Sequence, residues 1–235
     1  MFEPIALALG RAGLTPDALT LIGFAITVVG AVLLSQQQWL VGGLVVLLGG
    51  VFDMFDGTLA RATGKVSPLG AFMDSVFDRW GEALVYLGLV IGFLGFWGEL
   101  YSEVGFALGA PLAAAAMGSA FMVSYARAKA EGLGFSSGTG MAAIGTMPRE
   151  VRLVVLCLGL ILTGITGLTR TTFPSLNVVQ IFGFQIDLDA GYGFIALALG
   201  IIVVGATITT IQRILHVRAQ AKRQTTSDTS PSAQS

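Results

Sequence analysis

The chain of 235 residues is 54% hydrophobic and only 11% charged, and it carries a net charge of −1. Because a soluble domain has about 25% charged residues, this composition excludes an ordinary soluble protein and indicates a polytopic membrane protein. The single cysteine excludes an internal disulfide and a cysteine-rich zinc site. The net charge says nothing about a nucleic-acid partner, and none is expected.

The two ends of the chain differ from its middle. Residues 1–13 (MFEPIALALGRAG) do not match a cleavable signal peptide and are too short to span a bilayer. We predict that segment 1–16 contains a helix lying along the membrane interface. Residues 219–235 are polar and aperiodic, which predicts a disordered cytoplasmic tail. The membrane domain would then cover 17–218.

Six stretches are long enough to cross a membrane, at about 20 residues for each crossing. They lie near residues 18–35, 39–61, 69–95, 105–130, 150–168 and 191–214. The predicted fold class is therefore an all-α integral membrane protein with six transmembrane helices and an N-terminal interfacial helix.

The links between these stretches alternate in charge. Of the 13 Lys and Arg residues, all but Arg170 fall at or near one face of the predicted bundle. The links near 36–38, 96–104 and 169–190 instead carry aromatic and acidic residues: Trp39, Trp97, Glu99, Tyr101, Glu103, Asp187 and Asp189. By the positive-inside rule, the basic face and both termini are cytoplasmic, in the cell membrane.

Four aspartates interrupt the apolar pattern around the second and third stretches. Asp53 and Asp56 are three residues apart, and Asp74 and Asp78 are four apart, so each pair shares a helix face. A short turn between the pairs predicts that the two helices are antiparallel neighbours with converging carboxylates. Such oxygen ligands suit Mg²⁺. The alternatives are solvated helix-end residues, or a cation pathway in a transporter.

Small residues and one arginine accompany the aspartates. Gly57 and Ala60 would let a bulky group lie against the backbone, and Arg61 offers a forked donor for phosphate. A divalent cation, a small-residue surface and a phosphate donor together indicate a nucleotide diphosphate site at the membrane surface.

This pattern resembles the signature of the CDP-alcohol phosphatidyltransferase family at every defined position. It consists of Asp53-x-x-Asp56-Gly57-x-x-Ala60-Arg61, then eight residues, then Gly70-x-x-x-Asp74-x-x-x-Asp78. The resemblance implies a six-helix membrane enzyme, and suggests a homodimer. It also implies that an alcohol attacks the β-phosphate of a CDP-linked lipid such as CDP-diacylglycerol, with release of CMP.

The resemblance further implies roles for individual residues. The four aspartates would hold Mg²⁺ or Mn²⁺, and Asp78 would be the catalytic base. The stretch "GLTPDALTLIG" is similar to the family's entry to the first helix. The CDP-lipid site would accordingly include Asp17, Ala18, Leu19, Thr20, Gly57, Ala60, Arg61 and, near the phosphates, Ser67.

Basic residues at three further helix ends would lie on the same face as the aspartates. They are Arg127, Lys129, Arg149, Arg152 and Arg213. A phosphorylated acceptor would need such residues, and the arrangement resembles the phosphatidylinositol-phosphate synthases of that family. However, Lys and Arg are exchanged in the first run, and Glu150-Val151 replaces Pro-Glu in the second.

Several acceptors therefore stay open. Inositol 1-phosphate is the predicted acceptor, which would give phosphatidylinositol phosphate. Glycerol 3-phosphate, as in a phosphatidylglycerophosphate synthase, is the alternative. An archaeol-based donor, as in archaetidylinositol-phosphate synthesis, would leave the same polar motif. The positive-inside rule alone would also place Lys and Arg at these helix ends.

Overall fold

The computed structural model describes residues 3–95, 104–135, 144–168, 179–181, 184–186 and 192–228. Within these ranges there are seven helices and one short hairpin. The helices are α1 (Glu3–Arg11), α2 (Pro16–Ser35), α3 (Trp39–Ala62), α4 (Pro68–Phe93), α5 (Val104–Gly132), α6 (Arg149–Leu168) and α7 (Tyr192–Asp228). The hairpin pairs β1 (Val179–Ile181) with β2 (Phe184–Ile186) in antiparallel register.

The all-helical class is confirmed, and each predicted crossing coincides with one of the helices α2 to α7. Among the residues that the structure describes, four helices are long and apolar enough to cross a membrane: Pro16–Ser35, Trp39–Ala62, Leu108–Gly132 and Tyr192–Arg223. Helices α4 and α6 are not among them, because both carry several charged residues in their N-terminal parts. The structure therefore confirms a protein with several helices that can span a membrane, but not the predicted number of six.

Two regions differ from the sequence-based expectation. The hairpin β1–β2 lies in the 169–190 link, for which no strand was predicted. Helix α7 continues to Asp228, so the expectation of disorder from residue 219 is wrong for 219–228. Ala, Gln, Lys and Arg are strong helix formers and extend the preceding helix. Most of the 96–104 and 169–190 links, with their Trp and acidic residues, lie outside the described residues, as does 229–235.

Helix α2 is central to the packing, because it lies against both α3 and α4. Helices α3 and α4, predicted as antiparallel neighbours with converging carboxylates, share few backbone contacts within the described ranges. Helix α6 packs against α3 and α7, and α5 packs against α4 and α7. The backbones of α3 and α4 are therefore separated at the level of the aspartates.

The N-terminal helix α1 packs against α3 through a small apolar cluster. Its members are Ala6, Leu19, Phe55 and Leu59, all at most 7% exposed. A Cβ added at Gly10 would lie 2.7 Å from Leu59 Cδ1, so this contact is close. The α1 segment is therefore tied to the helix that carries the first aspartate pair.

Glycines allow the closest helix contacts. A Cβ at Gly88 of α4 would lie 3.0 Å from the carbonyl carbon and 3.2 Å from Cα of Ala31 in α2. Backbone atoms cannot move aside as a flexible side chain can, so the two helices approach at this separation only because position 88 lacks a Cβ.

We predict that Gly88→Ala lowers the stability of the folded protein by about 1–3 kcal/mol, because the added methyl group forces α2 and α4 apart. Thermal unfolding in detergent measures the change. Gly200→Ala is the matched control, since nothing lies within 4 Å of a Cβ at Gly200. Equal melting temperatures for the two variants would contradict this account of the α2–α4 contact.

Candidate active site

The turn between α3 and α4 brings the two aspartate pairs to the same end of the bundle. Gly64 follows the end of α3 with φ +65°, a conformation that favours glycine. The amide of Lys65 donates to the Ala60 carbonyl at 2.9 Å and closes the turn. Ser67 then caps α4 by accepting a hydrogen bond from the Gly70 amide at 3.0 Å, with Pro68 in the first turn.

Three of the four aspartates form one carboxylate cluster. Asp53, Asp56 and Asp74 each offer an oxygen, and these oxygens lie within 4.8 Å of one another. Hard divalent cations bind such sets of carboxylate oxygens, so the donor set fits Mg²⁺ or Mn²⁺. The cluster spans the separation between α3 and α4, as the paired spacing predicted.

Asp56 is the most buried of the three and is held by two donors. Thr20 Oγ1 on α2 donates to Asp56 Oδ2 at 2.6 Å, and the Gly57 amide donates to Oδ1. The Asp56 side chain is only 5% exposed. A hydroxyl and an amide that bind the carboxylate orient its remaining lone pairs toward the cluster.

Asp78 lies beside the cluster and shares an arginine with Asp53. Arg149 Nη1 on α6 is 2.5 Å from Asp53 Oδ2 and 2.6 Å from Asp78 Oδ1. Asp78 Oδ1 is buried and accepts no hydrogen bond of good geometry within the described residues. Arg79 Nη2 lies 3.5 Å from the other oxygen of Asp78.

A cavity of about 260 Å³, here called the turn cavity, lies on one side of the cluster. Its lining residues include Asp17, Thr20, Asp56, Gly57, Ala60, Arg61, Lys65, Ser67, Gly70 and Asp74. The structure thus brings together six of the eight residues predicted for the CDP-lipid site. Arg61 extends along the Gly57 surface, since a Cβ at Gly57 would be 3.4 Å from Arg61 Nη1.

Ala18 and Leu19 do not line the turn cavity. Leu19 is fully buried against Phe55 and Leu59, and the Ala18 amide donates to the helix cap Thr15 at 3.2 Å. On a helix, residues one and two positions apart face different directions, so a contiguous run cannot all face one cavity. Asp17 and Thr20, three apart, do face it.

A second cavity of about 760 Å³, here called the arginine cavity, lies on the other side. Its arginines come from α4, α5, α6 and α7: Arg79, Arg127, Arg149, Arg152 and Arg213. Asp74 and Asp78 also line it, with Ser124, Glu131 and Glu150. Asp74 therefore borders both cavities.

The arginines of this cavity are not equally available. Arg127 pairs with Glu131 at the exposed rim, at 2.9 Å. Arg213 is 4% exposed and donates to the carbonyls of Ile144 and Val123, at 2.9 and 2.5 Å. Arg152 is 1% exposed and is bound by Glu82. An arginine at the exposed rim can therefore donate hydrogen bonds to a ligand more readily than the buried arginines, whose donors are bound to protein groups.

Lys129 does not line the arginine cavity. It is two residues from Arg127 on α5, and positions two apart on a helix point to different sides. Lys129 lies in a neighbouring and mostly apolar groove of about 270 Å³ between α5 and α7, which shares Tyr125 and Arg213 with the arginine cavity.

Sequence reasoning missed three charged residues near the cluster: Lys65, Arg79 and Glu82. Each had a usable signal. Lys65 lies in the turn between Arg61 and Ser67, and Arg79 directly follows Asp78. Glu82 continues the four-residue spacing of Asp74 and Asp78 along the same helix face.

We predict that Thr20→Val weakens divalent-cation binding about tenfold, because the Asp56 carboxylate loses the hydroxyl that orients it. Titration of the purified protein with Mn²⁺, followed by the electron paramagnetic resonance signal of the free ion, measures the affinity. Thr20→Ser keeps the hydroxyl and should bind as the unmodified protein does. An unchanged Mn²⁺ affinity in Thr20→Val would show that the Thr20 hydroxyl does not orient Asp56 for cation binding.

Comparison with known proteins matches nearly the whole of this architecture. A family model described as CDP-alcohol phosphatidyltransferase matches residues 13–215. A phosphatidylinositol phosphate synthase of Cutibacterium acnes is 34% identical over 93% of this chain and 92% of its own length. An archaetidylinositol phosphate synthase of Pyrococcus horikoshii is 36% identical over 66% of this chain and 73% of its own.

Solved structures with the same fold point to the same family. The phosphatidylinositol phosphate synthase of Mycobacterium tuberculosis with CDP-DAG bound has a TM-score of 0.69 and 25% identity, covering 92% of this chain and 93% of that chain. The same enzyme in complex with manganese and citrate has a TM-score of 0.70 and 26% identity, covering 100% of this chain and 92% of that one. With the signature residues gathered around one carboxylate cluster, this chain belongs to the CDP-alcohol phosphatidyltransferase family of membrane enzymes.

Proposed function

We propose that this enzyme transfers the phosphatidyl group of CDP-diacylglycerol to inositol 1-phosphate, releasing CMP, as a step of phospholipid biosynthesis. The observation that carries the proposal is the position of Asp74, which lines both cavities. A donor in one cavity and an acceptor in the other would meet at the same carboxylate cluster. The arginines of the larger cavity favour an acceptor that itself carries a phosphate.

The turn cavity would take the cytidine diphosphate part of the donor. Gly57 and Ala60 leave room against α3, while Arg61 and Lys65 supply cations for the pyrophosphate. Asp17, Thr20 and Ser67 add polar groups around the nucleotide. The diacylglycerol tails would extend from this cavity into the surrounding lipid.

We propose Mg²⁺ as the cofactor, with Mn²⁺ as the alternative. Asp53, Asp56 and Asp74 would hold the ion, and Asp78 would complete the set. The mycobacterial relative solved with manganese supports a divalent ion in this family. When bound, the ion neutralises pyrophosphate charge and stabilises the charge on the departing CMP.

Asp78 would act as the general base. The acceptor hydroxyl would lose its proton to an oxygen of Asp78 while its own oxygen bonds to the β-phosphorus of the donor. The bond from that phosphorus to the CMP oxygen would break, and CMP would leave with the electron pair. Two observations support Asp78: it lines the arginine cavity, and its buried Oδ1 atom, 2.6 Å from Arg149 Nη1, accepts no hydrogen bond of good geometry in the described ranges.

Arg127 and Arg149 are the arginines we propose to contact the acceptor phosphate. Their side chains are 48% and 28% exposed, so the nitrogens that do not bind Glu131, Asp53 or Asp78 can reach a ligand. Arg152 and Arg213 are buried and bound to protein groups, so they would contribute positive charge to the cavity wall. Lys129 faces another groove and is left out of this set.

Two variants of the reaction remain as alternatives. Glycerol 3-phosphate carries the same phosphate group and would fit the same charges. A donor with archaeol tails is favoured by the archaetidylinositol phosphate synthase relative. A cation transporter is set aside, because the chain belongs to an enzyme family and the carboxylates are gathered at one end of two helices.

We predict that purified enzyme with CDP-diacylglycerol and Mg²⁺ releases CMP when inositol 1-phosphate is added. Three other alcohols are tested in parallel: glycerol 3-phosphate lacks the inositol ring, free inositol lacks the phosphate, and serine lacks both. CMP release with glycerol 3-phosphate alone would replace the proposed acceptor. Activity with free inositol equal to that with its phosphate would contradict the role of the arginine cavity.

Asp78→Asn is the control variant for this measurement. It keeps the size of the side chain but removes the proton acceptor, and turnover should fall at least 100-fold, at the lower bound for general base catalysis. Its melting temperature should show that the bundle is folded. Turnover close to that of the unmodified enzyme would remove Asp78 from the base role.

We further propose that α4 and α6 also cross the membrane, giving six crossings with both termini and the active site in the cytoplasm. Because Cys157 is buried, introduced cysteines can be labelled separately. Gln36→Cys should react with an impermeant maleimide in intact cells, and Lys222→Cys only after the cells are opened. The opposite result would show that the proposed topology is inverted.

The family resemblance also suggests a homodimer, which a monomer mass in detergent would exclude.

A further inference from the structure

Glu82 is a buried carboxylate that the proposed reaction does not use. It stands one turn beyond Asp78 on α4, and its side chain is 10% exposed. A buried carboxylate costs free energy unless it is paired and hydrogen-bonded. Glu82 therefore needs partners, and the structure provides two.

Both oxygens of Glu82 are bound by arginines. Oε1 accepts hydrogen bonds from Arg152 Nε at 3.0 Å and from Nη2 at 2.8 Å, so two donors of one guanidinium group bind a single carboxylate oxygen. Oε2 accepts from Arg79 Nη1 at 3.0 Å. Arg152 Nη1 also donates to the Met147 carbonyl at 3.0 Å, just before α6 begins.

These contacts connect helices whose backbones hardly touch. Few Cα atoms of α4 and α6 approach each other in the ranges the structure describes. At the level of the aspartates, the ion pairs Arg152–Glu82 and Arg149–Asp78 link the two helices. Arg152 lies one turn after Arg149 on α6. The ion pair between Arg152 and Glu82 therefore also fixes the position of Arg149.

The second partner extends the connection to α5. Arg79 Nη1 donates to Ser124 Oγ on that helix as well as to Glu82. One carboxylate thus touches, directly or through one arginine, the three helices α4, α5 and α6. These are helices that line the arginine cavity.

We propose that Glu82 is a positioning residue for the acceptor: by holding Arg152 and Arg79 it fixes α4, α5 and α6 around the arginine cavity and keeps Arg149 beside Asp78. The inference rests on the proposed function only in assigning that cavity to the acceptor. Glu82 does not contact the reacting groups itself. Its removal should disturb acceptor binding and leave donor binding in the turn cavity unaffected.

The test is Glu82→Gln, which keeps the shape of the side chain. It leaves Arg152 without an anionic partner, whereas Arg79 still has Asp78 beside it. The KM for the acceptor should rise roughly tenfold or more, because a displaced arginine no longer meets the phosphate. The KM for CDP-diacylglycerol should stay within about twofold, since the turn cavity lies on the other side of the cluster. A purely structural role would lower the amount of active enzyme and leave both KM values unchanged, which would overturn the proposal.

A second variant covers the case in which Glu82→Gln fails to fold. Glu82→Gln with Arg152→Gln removes both buried charges and should recover melting temperature. The acceptor KM should stay raised in this double variant, because it lacks both the ion pair that holds α6 to α4 at these positions and the charge that Arg152 adds to the cavity wall. A double variant with the acceptor KM of the unmodified enzyme would overturn the proposal. Glu3→Gln, at an exposed position of α1, makes the same chemical change as a control.

Binding of the acceptor without turnover gives an independent readout. Inositol 1-phosphate added in EDTA should raise the melting temperature of the unmodified enzyme and leave that of Glu82→Gln nearly unchanged. If the unmodified enzyme turns over only another phosphorylated alcohol, the proposed acceptor fails. The same two measurements with that alcohol still decide the role of Glu82. Equal acceptor-induced shifts in both proteins would count against positioning.

Discussion

The carboxylates gathered between helices of an apolar bundle are the constraint on which the rest of this structure depends. A carboxylate inside an apolar bundle costs free energy unless it is paired and hydrogen-bonded, and several acids at one depth also repel one another. The protein compensates with Arg149, which lies within ion-pair distance of Asp53 and Asp78, and with the Thr20 hydroxyl on Asp56. Helices α2 and α6 are therefore held at this site by polar contacts as well as by packing.

The separation of α3 and α4 gives the site its two-sided form. Helix α2 packs against both, so the aspartates meet across a space that the two backbones do not close. The turn cavity and the arginine cavity open on the two sides of that space. The Gly88 contact, which lets α4 approach Ala31 closely, helps to set the spacing of the whole arrangement.

Short-range spacing explains what could be predicted from the sequence. The aspartate pairs, Gly57 and Arg61 lie on two helices joined by a short turn, so helical periodicity and turn residues were enough to bring them together. The failures concern orientation and long-range pairing. Ala18, Leu19 and Lys129 lie on the correct helices but on other faces. That α2 packs against both α3 and α4, and that Glu82 binds Arg152 on α6, depends on tertiary packing, which no local pattern encodes.

Asp74 between the two cavities has a stereochemical consequence. An acceptor entering from the arginine cavity would approach phosphorus from the side opposite the turn cavity, where the nucleotide would lie. The entering and departing oxygens would then lie roughly in line through phosphorus, as phosphoryl transfer requires. One such displacement inverts the configuration of the transferred phosphate and needs both substrates bound together. A double displacement through a covalent enzyme intermediate would retain it.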